Sequence, residues 1–500
     1  MALSLLRRDG RQIVDATGQP IVLRGVGLGN WVLPEGYMWH FGDTSASPRQ
    51  IEALITDLIG EAAAQEFWRR FRDTYITEHD VAAIVAHGYN SIRLPLNWRI
   101  LMTEEGQWIE DGFALLSRTV EACRRHDLYV VLDLHGAPGG QTGTNIDDSA
   151  GWPDLFTDPR NRQLTVRLWQ ELARRHRDDP VIAGYDLLNE PLPGDHRDRY
   201  RDDLVRLYQD LITAIRAVDS DHLVILEGMH WSNDWSILTE LWDDQVVFQF
   251  HKYWNAPDTD SIREYLEVRD RLDVPIWLGE SGENHLAWFQ GTFGMCDDLG
   301  IGWNFWQWKK LGTRVSPLSI RVPDDWHLIQ SAANGGDRPD LETATKILTQ
   351  YLDNIAYHAC EQHPQVVQAM MRRAPCACMP RTSRPAGKGF PGMRPDVTPD
   401  CADSARQKAS PSASPTGNAQ ARPPSPLPGN LTRTPRTHST YGSRRVSGSP
   451  TASRYATPPT LPPPSSGQLP PMPGCASPST APTSPRTPPP SATPPPLSAP

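Results

Sequence analysis

The chain has 500 residues, a mass of 55.8 kDa and a net charge of −10, but that charge is split: residues 1–374 hold 36 Lys/Arg against 56 Asp/Glu, and residues 375–500 hold 13 against 3. All 17 tryptophans lie at or before Trp326, and 32 of the 48 prolines lie at or after Pro375. An acidic, tryptophan-rich body of this size has room for one large core, carries the wrong sign for a nucleic-acid partner, and has no run of 18 apolar residues to span a membrane.

In chain order, "RQIVDATGQPIVLRGVG" reads as a small hairpin about a "TGQP" turn, leading into a first core strand at Ile21–Arg24. Short apolar runs then recur at Tyr89–Leu94, Leu128–Leu134, Ile182–Leu187, His222–Glu227, Val246–Phe250, Val274–Gly279 and Ile301–Trp306. Between most of them lie helical patterns with apolar residues three and four apart, as in "LLSRTVEACRRH", "LTVRLWQELARRHRD" and "YRDDLVRLYQDLITAIRAVD". The link between the fifth and sixth strands is the weakest, with only a short segment near Trp235–Leu241 available. Helical crossovers imply parallel pairing. Eight such strands close as a (β/α)8 barrel or stay open as a doubly wound sheet. The count of eight, and polar residues at the ends of many strands, favour the α/β barrel. "GVGLGN" has no helix signal behind it to make a dinucleotide site, and "GAPGGQTG" lacks the GK[ST] of a phosphate loop.

The helical pattern fades after "LETATKILTQYLDNIAYHA", which places the end of the barrel domain, residues 1–358, there. "CEQHPQVVQAMMRRA" reads either as a helical stub or as linker. The remainder to residue 500 is Pro/Ser/Thr/Arg-rich and is expected to be disordered, with polyproline II segments, because it has too little apolar surface to offset chain entropy. A recognition role for this tail is the interaction-protein alternative. Cys123, Cys296 and Cys360 look like isolated thiols, and Cys376 with Cys378 forms a lone CxC without a second pair, so neither a disulfide framework nor a zinc site is indicated. "MALSLLRRDG" is too short and too soon charged for a signal peptide, so the chain as it stands reads as cytoplasmic; a secreted protein stripped of its leader would read the same.

The chemistry lies at the strand ends. "SIRLPLNW" brings Arg93, "VVLDLHGAPGG" His135, "GYDLLNEP" Asn189 and Glu190, "FQFHKYW" His251 and Tyr253, "PIWLGESGEN" Glu280, and "GWNFWQWKK" Trp303, Trp306 and Trp308. Any one of these is unremarkable, since a lone His or Trp beside a sheet is usually a core group. Their convergence on one face of a barrel points to a site. Glu190 and Glu280 end the fourth and seventh strands, on opposite sides of the mouth. Two carboxyls about 5–5.5 Å apart perform retaining glycoside hydrolysis, one as nucleophile and the other as acid and then base. Arg93 and Tyr253 are the donors that would keep a nucleophile ionised, Asn189 has an amide for a sugar 2-hydroxyl, and Trp306 has a flat face for a sugar ring. Without HxH, HExxH or clustered aspartates, His135, His230 and His251 point to hydrogen bonding, not to a metal.

These motifs, in this order over roughly residues 12–310, resemble the retaining β-glycosidases of glycoside hydrolase family 5. The resemblance implies that "NEP" carries the acid/base at Glu190 and "GESG" the nucleophile at Glu280, with Arg93, His135, Asn189, His251 and Tyr253 in support. "LRGVGLGNWVLPEG" and "DLHGAPGGQTG" are similar to the exo-β-1,3-glucanase branch, which implies substrate contacts from Glu35, Gln141 and Asn145, alongside Trp231, Trp254, Trp303 and Trp306. "WKKLGTR" departs from that branch, where tryptophan and lysine are followed by threonine and glutamate. The expected activity is hydrolysis of β-linked glucan or gluco-oligosaccharide in the manner of an exo-β-1,3-glucanase or β-glucosidase, with acid, nucleophile and water sufficient and no cofactor. The alternatives are an endo-β-1,4-glucanase and a non-catalytic carbohydrate-binding scaffold.

Overall fold

The computed structural model describes residues 3–41 and 47–371. The CxC pair and the expectation for the Pro-rich tail lie outside the described residues. Eight parallel strands close into a barrel: β1 (Arg24–Gly27), β2 (Ser91–Asn97), β3 (Tyr129–Gly136), β4 (Ile182–Asp186), β5 (Leu223–Glu227), β6 (Val246–His251), β7 (Ile276–Gly282) and β8 (Gly302–Trp306). Closure comes from β8 pairing with β1, with Trp303 opposite Arg24 and Phe305 opposite Val26. The fold is a (β/α)8 barrel.

The barrel interior is sorted by chemistry along its axis. Its N-terminal half is apolar: Tyr129, Val131, Ala183, Leu223, Ile225, Val247 and Trp277 form one buried cluster with Leu23. The antiparallel hairpin Arg7–Asp9/Gln12–Val14 plugs this end through Leu6 and Ile13. Towards the C-terminal end the same inward positions turn polar. Val131 is followed by Asp133 and His135, Ile225 by Glu227, and Val247 by Gln249 and His251, at the two-residue period of a strand. The polar groups therefore share one end of the barrel.

β1 lies three residues later than its apolar run suggests. Ile21–Leu23 packs under the barrel, while the strand itself is "RGVG". Its glycines meet a physical requirement: a Cβ on Gly25 would come within 2.6 Å of both Asn304 Oδ1 and Ser91 Oγ, and one on Gly27 within 2.7 Å of the Trp306 ring. The hairpin also sits earlier than expected. The "TGQP" turn is present, held by Asp15 accepting from Thr17 N and Gln19 N, but it leads only to a single bridge, Val14 to Pro20. The three-residue pairing turns instead at Gly10-Arg11, where Gly10 has φ 54°.

The amphipathic patterns become the outer helices Glu110–Arg125, Pro159–His176 and His196–Arg216. Pro159–His176 shows the local logic. Asp158 accepts from Arg160 N at 2.8 Å, Pro159 needs no N–H at the first position, and Arg174, Arg175 and His176 face the negative end of the dipole. No helix fills Trp235–Leu241. The β5–β6 link has only the irregular turn Met229–Ser232, where His230, Trp231 and Ser232 all adopt positive φ. The described body continues past residue 358: Glu361–Gln362 pairs with Leu318–Ile320, and "CEQHPQVVQAMMRRA" is helical over Pro364–Met371, burying Val366, Val367 and Met370 against helix Leu286–Asp298. Cys123, Cys296 and Cys360 are buried free thiols.

Helix Glu110–Arg125 packs closely on the backbone beyond β2, where a Cβ on Gly112 would lie 1.9 Å from the Ile100 carbonyl oxygen. Gly112→Ala should therefore cost at least about 1–3 kcal/mol through overpacking, despite alanine's better helix propensity, as read by chemical denaturation.

Candidate active site

Arg93, on β2, is fully buried at the polar end of the barrel. It donates to Asp186 Oδ2 at 2.8 Å, Glu280 Oε2 at 2.6 Å, Asn189 Oδ1 at 2.8 Å and Glu227 Oε1 at 3.1 Å, and lies 3.2 Å from Asp133 Oδ2. One guanidinium thus ties together groups from β3, β4, β5 and β7, plus the segment just after β4. Five N–H donors in a rigid plane suit this role, which a lysine cannot fill.

The cluster fixes the two glutamates. Glu280, on β7, is held on Oε2 by Arg93 and on Oε1 by the Tyr253 hydroxyl at 2.5 Å. Glu190 follows β4 at φ 46°; its backbone N–H donates to Glu227 Oε2 at 2.8 Å and its Oε1 lies 2.6 Å from His251 Nδ1. A carboxylate oxygen of Glu190, one of Glu280 and a ring nitrogen of His251 all fall within 4.8 Å of one another. Two carboxyls that close, facing a common cavity, match the spacing of retaining glycosidases. Among the described residues this trio is also the one grouping with metal-ligand spacing, but the Arg93 cation on Glu280 opposes binding of a second cation there.

Burial and charge set the protonation pattern. Burial, then the charge of Glu190, raises the Glu280 pKa, against the pull of His251 and Arg93. Burial alone would depress His251, but the carboxylates of Glu227 and Glu280 and its bond to Glu190 hold it well above the ordinary histidine range. Burial pushes Asp133 up to about 7 and raises Asp186 strongly, so Arg93 does not face four bare carboxylates at neutral pH. Burial also drives His135 down to about 4, leaving it neutral, with Nδ1 on Asp133 at 2.8 Å. Glu35 is buried, its Oε1 has no hydrogen-bond partner, and burial together with the charges of Glu280 and Glu190 raises its pKa well above normal.

Above the glutamates opens a cavity of about 710 Å³, with walls from the β-strand ends or following loops of every strand except β2. It brings together Glu35, His135, Glu190, Trp231, His251, Tyr253, Trp254, Glu280 and Trp306. Trp306 lies parallel to the His135 ring at 5.4 Å between centroids, and its Nε1 donates to the Tyr37 hydroxyl at 2.8 Å. Trp254 is 81% exposed at the rim. Arg93 and Asn189 sit beneath the wall, fully buried.

Three expected substrate contacts are placed elsewhere. Trp303 is fully buried on the outer face of β8, packed on Phe293 at 4.7 Å and donating to Asp297; strand alternation sends Asn304 and Trp306 inward and Trp303 towards the helices. Gln141 is fully buried as a strut, donating to the carbonyls of His135 and Asn189. Asn145 does not line the cavity, whereas its neighbour Ile146 does. Trp308 is also core, donating to Asp80, and His230 Nδ1 accepts from Gly194 N. Sequence reasoning missed Asp186, Glu227 and Gln249, although a charged or amide side chain within an apolar strand was the available signal. It also missed Tyr37, and Glu283, which pairs with Lys310 at 2.7 Å in the departing "WKK" segment.

A (β/α)8 barrel with paired carboxyls at the C-terminal ends of β4 and β7 is the architecture of a glycoside-cleaving enzyme. The family model for cellulase, glycosyl hydrolase family 5, matches residues 57–312. The chain belongs to that family and is a retaining, glycan-hydrolysing glycosidase. Among characterised relatives it is 34% identical over 303 residues to a beta-xylosidase of Phanerodontia chrysosporium (56% of this chain, 62% of the relative). It is 30% identical over 315 residues to Endoglucanase C of Acetivibrio thermocellus (50% and 89%), and 28% identical over 288 residues to a glucan 1,3-beta-glucosidase of Candida oleophila (53% and 65%). The match thus spans less than two thirds of the xylosidase and of the glucosidase.

Removing the hub should be severe. Arg93→Met leaves its carboxylates uncompensated and should cost about 3–5 kcal/mol or prevent folding, as judged by denaturation and soluble yield. Trp303→Ala should lower stability by about 3–5 kcal/mol while leaving KM for an aryl β-glycoside unchanged; a selective rise in KM would return Trp303 to the substrate site.

Proposed function

We propose that Glu280 is the nucleophile and Glu190 the acid/base of a double-displacement hydrolysis of β-linked glucan or gluco-oligosaccharide. The observation that carries this reading is the approach of the two carboxyls to within 4.8 Å, with Arg93 and Tyr253 on Glu280 and only His251 on the Glu190 side chain. The two donors stabilise negative charge on Glu280, while the Glu190 side chain meets His251 Nδ1 at 2.6 Å. In the first step a Glu280 oxygen bonds to the anomeric carbon, the glycosidic C–O bond breaks, and Glu190 gives its proton to the departing oxygen. In the second, Glu190 takes a proton from water, the water oxygen bonds to the anomeric carbon, and the ester to Glu280 breaks. Trp306 offers the sugar ring an apolar face, and the unpartnered Glu35 oxygen offers a hydroxyl a partner.

For linkage and mode, the family model and the match across 89% of Endoglucanase C support internal cleavage of β-1,4-glucan. A second reading, removal of terminal glucose in the manner of an exo-β-1,3-glucanase or β-glucosidase, is favoured by the enclosure of the carboxyl pair by seven of the eight strand ends and loops and by buried Glu35. Early products from cello-oligosaccharides, carboxymethylcellulose and laminarin separate them: a ladder of oligomers on the β-1,4 substrates means internal cleavage, and glucose alone means terminal attack.

Glu280→Ala should abolish turnover and lower the melting temperature, because Arg93 loses one of its buried partners, while unfolding stays cooperative. Glu190→Ala should spare an aryl glycoside with an activated phenol far more than an ordinary disaccharide, and equal loss on both substrates would remove Glu190 from the acid role. Because the ionised form of Glu280 attacks and its pKa is raised, activity should disappear as pH falls through a value above the usual 4.5. An acid limb of kcat/KM at or below 4.5 would contradict that assignment.

A further inference from the structure

Three consecutive residues at the end of β6 have three different tasks. His251 meets Glu190 and Tyr253 meets Glu280, while Lys252 between them turns its side chain onto the loop that follows. Lys252 is buried, and its Nζ donates to Asn255 Oδ1, to the Ala256 carbonyl at 2.6 Å and to Ser261 Oγ at 2.7 Å. All three N–H groups of the ammonium are thus spent on neutral oxygens. Its backbone is tied to β7 beside the nucleophile: the N–H donates to the Glu280 carbonyl at 3.1 Å, and the carbonyl accepts from Ser281 Oγ at 2.6 Å. One residue therefore joins the barrel wall to a stretch, residues 253–258, that forms neither helix nor strand.

A buried ammonium among neutral acceptors is costly. Burial brings the Lys252 pKa down to about 8, against the pull of Asp258 on the loop and Cys296 on helix Leu286–Asp298, whose own thiol burial holds protonated. What the arrangement fixes is the loop. Trp254 and Asn255 line the catalytic cavity, and Trp254 is 81% exposed, so little packing of its own holds the indole in place. Its backbone neighbours do so. On one side the Tyr253 carbonyl accepts from Asn284 Nδ2 at 2.8 Å; on the other the Asn255 carbonyl accepts from Trp288 Nε1 at 2.8 Å, and the Asn255 side chain takes the Lys252 ammonium. Ser261, the far anchor, lies outside the cavity lining.

We propose that Lys252 is a positioning residue for substrate, its ammonium stapling residues 253–261 to the barrel so that Trp254 stands as a fixed platform for a sugar ring at the cavity mouth. Lys252 borders the cavity, but its donors are taken, and it acts through Trp254. The kinetic consequence rests on the hydrolytic reading above; the staple itself does not.

Two measurements on the whole chain test this. By hydrogen–deuterium exchange, Lys252→Met should lose protection across residues 253–261 while the other strand ends keep theirs, and unchanged protection overturns the staple. In kinetics on whichever gluco-oligosaccharide the wild type cleaves, Lys252→Met should raise KM about fivefold or more with kcat within about twofold. Trp254→Ala should raise KM as well, and the double variant no further than Trp254→Ala alone, because the lysine acts through the indole. Additive effects, a loss confined to kcat, or an unchanged KM in Trp254→Ala overturns the proposal. Wild-type KM should also climb as pH rises through about 8, since the neutral amine keeps two N–H donors for three acceptors, and the climb should vanish in Lys252→Met; the same climb in the variant counts against the lysine. Ser261→Ala, which removes one acceptor outside the cavity, should shift exchange and KM in the same direction by less, and decides the matter if Lys252→Met fails to fold. If the wild type cleaves no β-glucan or gluco-oligosaccharide, the hydrolytic reading falls and the exchange measurement still decides the staple.

Discussion

A single buried guanidinium organises this active site. Arg93 stands where the barrel interior turns from apolar to polar, and its donors reach side chains brought by four segments of the chain. A charge in that position is tolerable only because Asp133, Asp186, Glu227 and Glu280 surround it, and those carboxyls are tolerable only because Arg93 is there. The arrangement acts as a geometric lock: if one strand end shifts, a buried charge loses its partner.

The lock bears on chemistry through asymmetry. Glu280 belongs to the Arg93 cluster and carries a second donor from Tyr253, while Glu190 touches that cluster only through its backbone and presents its side chain to His251. Two residues of the same type thus enter the cavity with different partners, one set to bear negative charge and the other set to trade a proton. Glu227 connects them, accepting from Arg93 on one oxygen and from the Glu190 backbone on the other. The apolar lower barrel and its hairpin plug exclude water from beneath and keep these interactions strong.

The sequence by itself determined the eight strands, their alternation with helices, and the residues that terminate them, because apolar periodicity and strand-end polarity are local properties. Glu190, Glu280, His251, Tyr253 and Trp306 were legible for that reason. Tertiary structure decided which way each side chain turned. Trp303 and Trp306 share one short strand, and only the closure of β8 against β1 and the packing of Phe293 sends one to the core and the other to the cavity. Asp186, Glu227 and Gln249 looked like interruptions of apolar strands until the barrel brought them to Arg93. Gln141 lies in a loop whose motif suggested substrate contact, yet the backbone carbonyls of His135 and Asn189, from two different strand ends, draw it inward. Local pattern fixes which residues reach the mouth; only the closed barrel fixes which partner each one meets there.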